Sequence, residues 1–297
     1  MNKQIKAIMC DLDGTLLTKD KTILKETKRA LIKAQREGLR LVLASSRSYF
    51  MLEELINELE MPKYGGLAIC MNGLQIYNTT TGEMREAQGL SNETVQKIYD
   101  YGKSSQTIIS FESTAGFQFY VPMKMRFGMP FYYFARYKKR RSQKRQLNFT
   151  LFGDFRFSPD QMFEIISDRS KLILPVQKCG VIKLSRETKM DQALQKMRLY
   201  FEDEASVIKI SRVWADIMPL HVSKATGLDL MKDQLDFSMK DVIAFGDAEN
   251  DIEMLTKAKI GIAMGNAMDS VKLVAMDVTL NNDSNGIVHA LKKYSVI

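Results

Sequence analysis

The chain has 297 residues, of which 45% are hydrophobic and 26% are charged. This apolar share is typical of a globular protein with a sizeable core and excludes a disordered chain. No uncharged apolar stretch reaches the roughly 18 residues that a membrane span needs. The apolar run 5–10 contains Lys6 and meets Asp11, so it is too short and too charged for a signal peptide. We therefore expect a cytoplasmic protein with no membrane partner.

The cysteine and histidine content argues against two further classes. Cys10, Cys70 and Cys179 form no Cys-x-x-Cys pair and are too few for a disulfide scaffold. Only His221 and His289 could serve as imidazole ligands, which argues against a histidine-rich zinc site. The sequence therefore favours neither a disulfide-bonded fold nor chemistry based on several imidazoles.

The net charge of +8 is concentrated in one segment, residues 124–145. No acidic residue lies between Glu112 and Asp154, and without the nine basic residues of this segment the net charge would be −1. The same segment contains six aromatic residues: Phe127, Phe131, Tyr132, Tyr133, Phe134 and Tyr137. Three interpretations stay open. A solvated basic surface is favoured, a surface for an anionic substrate or partner comes second, and nucleic-acid binding is the least favoured.

Taken in chain order, the first 78 residues alternate short apolar runs with segments of helical periodicity. The predicted elements are a strand at 5–10, a helix at 27–37 with Gly38 as its C-cap, a strand at 39–44, a helix at 49–59, and strands at 67–71 and 74–77. Strands that alternate with helices indicate parallel βαβ units, in which helices cover both faces of the sheet.

The same alternation returns near the C-terminus, with a strand at 242–245, a helix at 251–258 and a strand at 260–263. The middle of the chain differs, because it contains longer polar connections and strand-like pieces at 107–111, 117–121 and 207–210. We therefore predict one α/β domain formed by residues 1–82 and 217–297, with an α+β insertion at residues 83–216.

Asp11 and Asp13 lie at the carboxyl end of the first predicted strand and are followed by Gly14 and Thr15. Alternate residues of a strand point to the same side, and α/β sheets place ligands at the carboxyl ends of parallel strands. Two carboxylates this close repel each other unless a cation lies between them or one holds a proton. They could bind Mg²⁺ with a substrate phosphate, or attack phosphorus to form an aspartyl-phosphate. The alternative is a plain turn with an aspartate side-chain hydrogen bond.

A second acidic cluster follows the predicted strand 242–245. Gly246 and Asp247 end this strand, and Asn250 and Asp251 lie in the first turn of the next predicted helix. Asp247 could complete a Mg²⁺ site with the first two aspartates, whereas capping of the helix explains the later acids equally well. The occurrence of acids at both strand ends favours the metal site.

Ser45, Ser46 and Arg47 follow the strand 39–44 and precede a helix, so their hydroxyl and N–H groups could hold an anion. Lys224 precedes a helical stretch at 225–235 and could contact the same phosphate. Each has a plain alternative, because serine is a common N-cap and a lone lysine is usually solvated.

These residues resemble, in order and placement, the four motifs of the haloacid dehalogenase-like (HAD) hydrolase superfamily: Asp11-Leu-Asp-Gly-Thr, Ser45, Lys224 and Gly246-Asp247-Ala-Glu-Asn250-Asp251. Residues 69–78, 261–267 and 282–288 resemble signatures of its Cof-type subfamily, also called subclass IIB. The resemblance spans nearly the whole chain. It implies a Rossmann-like α/β core with a parallel sheet, and a C2-type cap domain inserted at residues 83–216 that determines substrate specificity.

The resemblance also implies a role for each matching residue. Asp11 would be the nucleophile and a Mg²⁺ ligand. Asp13 would be the general acid and base, and would also bind Mg²⁺ through its backbone carbonyl. Asp247 would be the third Mg²⁺ position, supported by Asp251. The other matching residues would bind phosphate or substrate, two of them through backbone N–H groups (Leu12 and Ser46) and the rest through side chains: Ser45, Arg47, Lys224 and Asn250.

One position departs from the family, which usually has Thr-Gly-Arg where this chain has Ser45-Ser46-Arg47. Ser45 keeps the hydroxyl group of the usual threonine. Ser46 adds a side chain next to the expected phosphate, which could narrow the site or change substrate preference.

The resemblance implies a Mg²⁺-dependent phosphatase that hydrolyses small phosphomonoesters, such as sugar phosphates, nucleotides or phosphorylated cofactors, through an aspartyl-phosphate on Asp11. We hypothesise that the basic segment 124–145 closes over the substrate and excludes water. The alternatives are a phosphomutase of the same superfamily and a non-catalytic protein that binds anions or nucleic acid through this segment.

Overall fold

The computed structural model describes residues 5–113, 116–126, 162–182, 187–210 and 214–297. The chain forms two compact units, one from residues 1–88 and 221–297 and the other from residues 89–220. Within the described part of the chain, no helix is both long enough and apolar enough to cross a membrane.

The secondary structure alternates between strands and helices. The strands, in chain order, are β1 (Ala7–Asp11), β2 (Arg40–Ala44), β3 (Leu67–Cys70), β4 (Gln75–Asn78), β5 (Met84–Glu86), β6 (Ile108–Ser113), β7 (Gly116–Tyr120), β8 (Met162–Ile166), β9 (Lys178–Ile182), β10 (Ala205–Lys209), β11 (Trp214–Pro219), β12 (Val242–Gly246), β13 (Ile260–Ala263) and β14 (Asp277–Val278). The helices are α1 (Lys25–Arg36), α2 (Glu53–Glu58), α3 (Asn92–Ser105), α4 (Met123–Arg126), α5 (Glu187–Tyr200), α6 (Ile252–Lys257), α7 (Asp269–Val274) and α8 (Gly286–Lys293).

The first unit is built on an eight-stranded sheet with the order β14-β13-β12-β1-β2-β3-β4-β5. The strands from β14 to β3 are parallel, and β4 and β5 are antiparallel to their neighbours. All five residues of β1 are buried, which is typical of a strand covered on both faces. Met9 packs with Met254 of α6 and Val271 of α7 on one face, and Ile8 is buried on the other. The predicted α/β fold with a largely parallel sheet is confirmed.

Two predicted helices are shorter or more broken than their periodicity indicated. The predicted helix 49–59 is a 3₁₀ turn at Tyr49–Met51 followed by α2. The predicted helical stretch 225–235 is a 3₁₀ segment at Thr226–Met231. Periodic apolar residues show which side of a segment is buried, but they do not distinguish one regular helix from short turns in sequence.

The second unit contains a six-stranded sheet with the order β10-β11-β9-β6-β7-β8, which is antiparallel except for the parallel pair β7–β8. Helices α3 and α5 contribute to the core of this unit through Val95, Ile98, Leu194 and Met197. These side chains pack with buried residues of the strands, among them Phe111. The three predicted strand-like pieces therefore belong to one six-stranded sheet, and α3 and α5 pack in the same core.

The compact units divide a few residues later than the predicted domain boundaries. Strand β5 hydrogen-bonds to β4, so the residues just after position 82 belong to the first unit's sheet. Strand β11 pairs with β9 and β10, so residues 217–219 belong to the second unit. Of the basic segment 124–145, only residues 124–126 lie within the described residues, so the expectations for it stay predictions.

A tight turn at Met71–Gly73 connects β3 to β4. Asn72 and Gly73 have positive φ angles of 56° and 103°, and the second of these favours glycine. A Cβ atom at Gly73 would overlap the backbone carbonyl of Ser223. The turn therefore needs glycine both for its backbone conformation and for the close approach of the segment before Lys224.

We expect Gly73→Ala to destabilise the protein more than Gly38→Ala does. Gly38 also has a positive φ, 98°, but a Cβ atom there would meet nothing within 4 Å. Gly38→Ala should lower the free energy of unfolding by about 1–2 kcal/mol, because only the left-handed backbone conformation opposes the new side chain. Gly73→Ala should lower it by about 2 kcal/mol more, because its Cβ atom would also overlap the carbonyl of Ser223. Urea unfolding of both variants measures the difference, and equal losses would contradict this account of the turn.

Candidate functional site

Three neighbouring parallel strands bring polar residues to one edge of the first unit's sheet. Asp11 ends β1, Ser45 follows β2, and Asp247 follows β12. Strand β1 pairs in parallel with both neighbours, and Asp11 lies opposite Ala44 in the register. The carboxyl ends of parallel strands meet at the same edge, so residues that are far apart in sequence lie side by side.

Three aspartates form a cluster at this edge. Asp11, Asp247 and Asp251 each offer a carboxylate oxygen, and these oxygens all lie within 4.8 Å of one another. Asp11 and Asp251 are buried. Buried carboxylates at this separation repel each other strongly unless positive charge compensates them.

The ammonium group of Lys224 lies inside this cluster and is fully buried. Its Nζ atom donates to Oδ1 of Asp11 at 2.5 Å and to Oδ1 of Asp251 at 2.7 Å. Burial by itself lowers the pKa of this lysine, but the two carboxylates outweigh burial and raise its pKa above the usual value. Lys224 is therefore charged, and it offsets one of three negative charges.

The pKa values of Asp11 and Asp247 reflect their burial and the carboxylates beside them. Burial raises the pKa of Asp11 well above its usual value, although Lys224 opposes the rise. Burial, with the nearby charge of Asp251, raises the pKa of Asp247 to about 7. A divalent cation would relieve the repulsion, and carboxylate oxygens are the ligands that Mg²⁺ prefers. The donor set therefore fits a hard divalent cation.

Backbone hydrogen bonds fix the orientation of this cluster. Asp251 accepts hydrogen bonds at Oδ2 from the backbone N–H groups of Asp247 and Ala248, at 2.9 and 3.0 Å. The hydroxyl of Thr15 donates to Oδ1 of Asp247 at 2.9 Å. Asp251 therefore caps the turn, which was one of the two interpretations of the acids in this motif. Its Oδ1 atom also accepts from Lys224.

Asp13 lies beside the cluster in a different electrostatic environment. Arg47 donates from Nε to Oδ2 of Asp13 at 2.8 Å and from Nη2 to Oδ1 at 2.5 Å. Lys21 donates to the same Oδ1 at 2.6 Å. Burial raises the pKa of Asp13, but the charges of Arg47 and Lys21 outweigh it and hold the pKa below its usual value. The structure therefore favours the ionised form of this carboxyl.

The serines after β2 lie against the turn that follows β3. Ser45 is buried, its Oγ atom accepts from the backbone N–H of Arg47 at 3.2 Å, and its carbonyl accepts from Asn72. Asn250 donates from Nδ2 to Oδ1 of Asn72 at 3.0 Å. Ser46 lies next in the chain and is partly exposed. The predicted phosphate-binding residues of both motifs are thus linked through Asn72.

The loop after β1, which begins with the buried Leu12, is held by asparagines that the motif analysis did not place in the site. Asn266 donates from Nδ2 to the carbonyl of Gly14 at 2.7 Å, and Asn282 donates from Nδ2 to the carbonyl of Leu17 at 2.8 Å. A Cβ atom at Gly14, whose φ is 92°, would overlap the carboxylate of Asp247. The two asparagines fall in the segments that resemble the subfamily signatures, which was the available signal.

Comparisons with known proteins bear on the family resemblance that the motifs indicated. The family model for haloacid dehalogenase-like hydrolases matches residues 8–291. The chain is 25% identical to the 5-amino-6-(5-phospho-D-ribitylamino)uracil phosphatase YcsE of Bacillus subtilis, over 98% of this chain and 96% of the relative. It is also 25% identical to the phosphatase YwpJ of the same organism, over 97% of this chain and 99% of the relative.

A solved structure of a haloacid dehalogenase-like hydrolase from Bacteroides thetaiotaomicron is similar to this chain along nearly its full length. The two share 27% sequence identity with a TM-score of 0.71, over 98% of this chain and 99% of the other. The resemblance that the motifs indicated is confirmed by the family match.

We expect Lys224→Met to destabilise the metal-free protein by about 3–5 kcal/mol, because the buried carboxylates would lose their bridging cation. Added Mg²⁺ should then stabilise this variant more than it stabilises the wild type, since it would replace the missing positive charge. Thermal unfolding in EDTA and in Mg²⁺ measures both effects.

Lys178 offers a matched control in the second unit. It is also buried between two carboxylates, at 3.0 Å from Asp216 and 3.5 Å from Glu112. Lys178→Met should be destabilising too, but its response to Mg²⁺ should be no larger than that of the wild type. An equal response of both variants would contradict a cation site at the aspartate cluster.

Proposed function

Because the chain belongs to the haloacid dehalogenase-like hydrolase family, we propose that this site hydrolyses small phosphomonoesters through an aspartyl-phosphate intermediate on Asp11. The observation that carries the proposal is the cluster of Asp11, Asp247 and Asp251, in which the buried Asp11 and Asp251 share the ammonium of Lys224. Such a cluster is unfavourable for stability alone, because isolated buried charges are costly. It suits a reaction in which the carboxylates hold cations and these cations bind a phosphate dianion.

We propose Mg²⁺ as the cofactor of this site. Side-chain oxygens of Asp11 and Asp247 and the backbone carbonyl of Asp13 would hold it, and Asp251 would keep Asp247 in place through the turn that it caps. When bound, the ion supplies positive charge to the carboxylates and to the phosphoryl oxygens.

Asp11 is proposed to attack phosphorus through Oδ2, since Lys224 already occupies Oδ1 and no other described residue donates to this carboxylate. In the first step a bond forms between this oxygen and phosphorus while the bond to the leaving oxygen breaks. For this step Asp13 first takes up a proton from solvent, against the ionised form that Arg47 and Lys21 favour. It gives this proton to the leaving oxygen, and the alcohol departs.

In the second step a water molecule attacks the phosphorus of the aspartyl-phosphate and gives a proton to Asp13. Phosphate is released and the Asp11 carboxylate is restored. The ionised state that Arg47 and Lys21 favour for Asp13 suits this second step, in which Asp13 acts as a base.

The remaining residues at this edge are proposed to hold the phosphoryl group. The hydroxyl of Ser45, the ammonium of Lys224 and the amide of Asn250 would contact its oxygens, as would backbone N–H groups of Leu12 and Ser46. In phosphoryl transfer, positioning and charge stabilisation supply most of the catalysis. We further propose that the second unit, residues 89–220, determines which phosphomonoester is accepted.

Phosphate release from a panel of sugar phosphates, nucleotides and phosphorylated cofactors, in Mg²⁺ and in EDTA, tests the proposal. We expect Mg²⁺-dependent release by the wild type, and a loss of at least about 10³-fold in Asp11→Asn, which removes the nucleophile without changing its shape. Asp236→Asn is the control, because Asp236 is exposed and pairs only with Lys6 among the described residues.

Two results would count against the proposed function. The first is full activity of Asp11→Asn or of the wild type in EDTA. The second is transfer of the phosphoryl group to a sugar hydroxyl without accumulation of free phosphate, which would identify a phosphomutase.

A further inference from the structure

Lys21 lies in a tight turn after the first acidic motif, and sequence analysis gave it no role. The turn is closed by hydrogen bonds from the backbone N–H of Thr18 to the carbonyl of Thr22 and from that of Lys21 to the carbonyl of Thr18, both at 2.9 Å. Lys21 itself has a φ of 60°, in the left-handed region. This conformation is unfavourable for a residue with a Cβ atom and is usually occupied by glycine or asparagine.

Stability does not explain a lysine at this position. Its contact with Asp13 is a partly exposed ion pair, with side-chain exposures of 44% and 37%, and such pairs contribute little to folding. The left-handed backbone opposes folding. A residue that is kept in an unfavourable conformation beside reactive groups is a candidate for a functional role.

The three donors on Asp13 are distributed unequally between its two oxygens. Oδ1 accepts from Arg47 Nη2 and from Lys21 Nζ, whereas Oδ2 accepts only from Arg47 Nε among the described residues. Each carboxylate oxygen has two lone pairs. Lys21 therefore fills Oδ1 and leaves one lone pair of Oδ2 open.

We propose that Lys21 is a positioning residue. By filling the Oδ1 atom of Asp13, it makes the Oδ2 atom of Asp13 the one that gives and takes the proton. This inference rests on the proposed function. The proton on Oδ2 passes to the leaving oxygen as the bond from that oxygen to phosphorus breaks and the bond to Asp11 forms. The attacking water returns a proton to the same atom when phosphate is released. Without Lys21 both oxygens of Asp13 would have an open lone pair, and the carboxyl would be less well aligned.

The test compares a substrate that needs a proton on its leaving group with one that does not. Alkyl phosphates such as a sugar phosphate release a poor leaving group and depend on the general acid, whereas p-nitrophenyl phosphate releases a stable phenolate. General acid–base catalysis accelerates a reaction by about 10²–10⁴-fold. Misalignment of Asp13 should therefore lower the rate by about 10- to 100-fold. We expect Lys21→Gly to lower kcat/KM for the alkyl phosphate by that factor, and for p-nitrophenyl phosphate by less than about threefold.

Three companion measurements separate this role from a structural one. Lys21→Gly should have an unchanged or higher Tm, because glycine suits the left-handed backbone. Lys21→Arg, which keeps a donor for Oδ1, should recover part of the lost activity on the alkyl phosphate. Lys19→Ala removes another lysine of the same turn, which pairs with Asp283 and not with Asp13, and should leave both activities unchanged.

Equal losses on both substrates would overturn the inference, because they would indicate that Lys21 binds the phosphate itself. Unchanged kinetics in Lys21→Gly would overturn it as well. If the wild type released phosphate from neither substrate, the proposed function would fail and this inference with it. Wild-type turnover with unaffected Lys21 variants would leave the proposed function intact and remove only the role of Lys21.

Discussion

The buried contact of Lys224 with Asp11 and Asp251 is the interaction on which the rest of the site depends. It joins three segments that are far apart in the chain, and its Nζ atom is shared by two carboxylates at 2.5 and 2.7 Å. Within the described part of the chain, Lys224 is the one ammonium in contact with this cluster of three carboxyl groups, so it compensates the acids only in part. Burial raises the pKa of Asp11 and Asp247, the neighbouring carboxylates add to the rise, and both effects make the site receptive to a divalent cation.

The sheet topology explains why these residues meet. Strands β1, β2 and β12 are parallel neighbours, although the segment 89–220 separates β12 from the other two in sequence. The polar groups of the site lie at or just after the carboxyl ends of these strands. The preceding strand residues are apolar and buried, apart from the exposed Arg40 at the start of β2. The turn at Met71–Gly73 adds Asn72 to the same edge, where its backbone contacts Ser45 and its side chain contacts Asn250. Two groups of residues thus lie at the same edge of the sheet. One is the acidic cluster around Asp11, and the other is Asp13 with the basic residues Arg47 and Lys21.

The fold class and the acidic strand ends could be predicted from the sequence, because buried strands that end in aspartates produce a strong local pattern. The contact of Lys21 with Asp13 could not be predicted from the sequence, because a lysine in a polar turn is usually solvated. The contact depends on a left-handed backbone conformation at Lys21, which the sequence does not reveal. The units divide a few residues later than the predicted boundaries for a similar reason. Strands β5 and β11 lie close to those boundaries, and only their partners show which sheet each strand joins. The contact of Asn72 with Asn250 spans 178 positions and has no local signal.

Calorimetric titration of the metal-free protein with Mg²⁺ tests the central claim, that Asp11, Asp247 and Asp251 form a divalent-cation site in which the cation replaces protons held by carboxyl groups with a raised pKa. Titrations at about pH 6.5 in two buffers of different ionisation enthalpy also measure the protons released. We predict one Mg²⁺ per chain with net proton release, because the raised pKa of Asp247, about 7, leaves it largely protonated in the free site. Asp247→Asn should weaken binding strongly. Absence of binding, or binding that releases no proton and is unaffected by Asp247→Asn, would contradict the account.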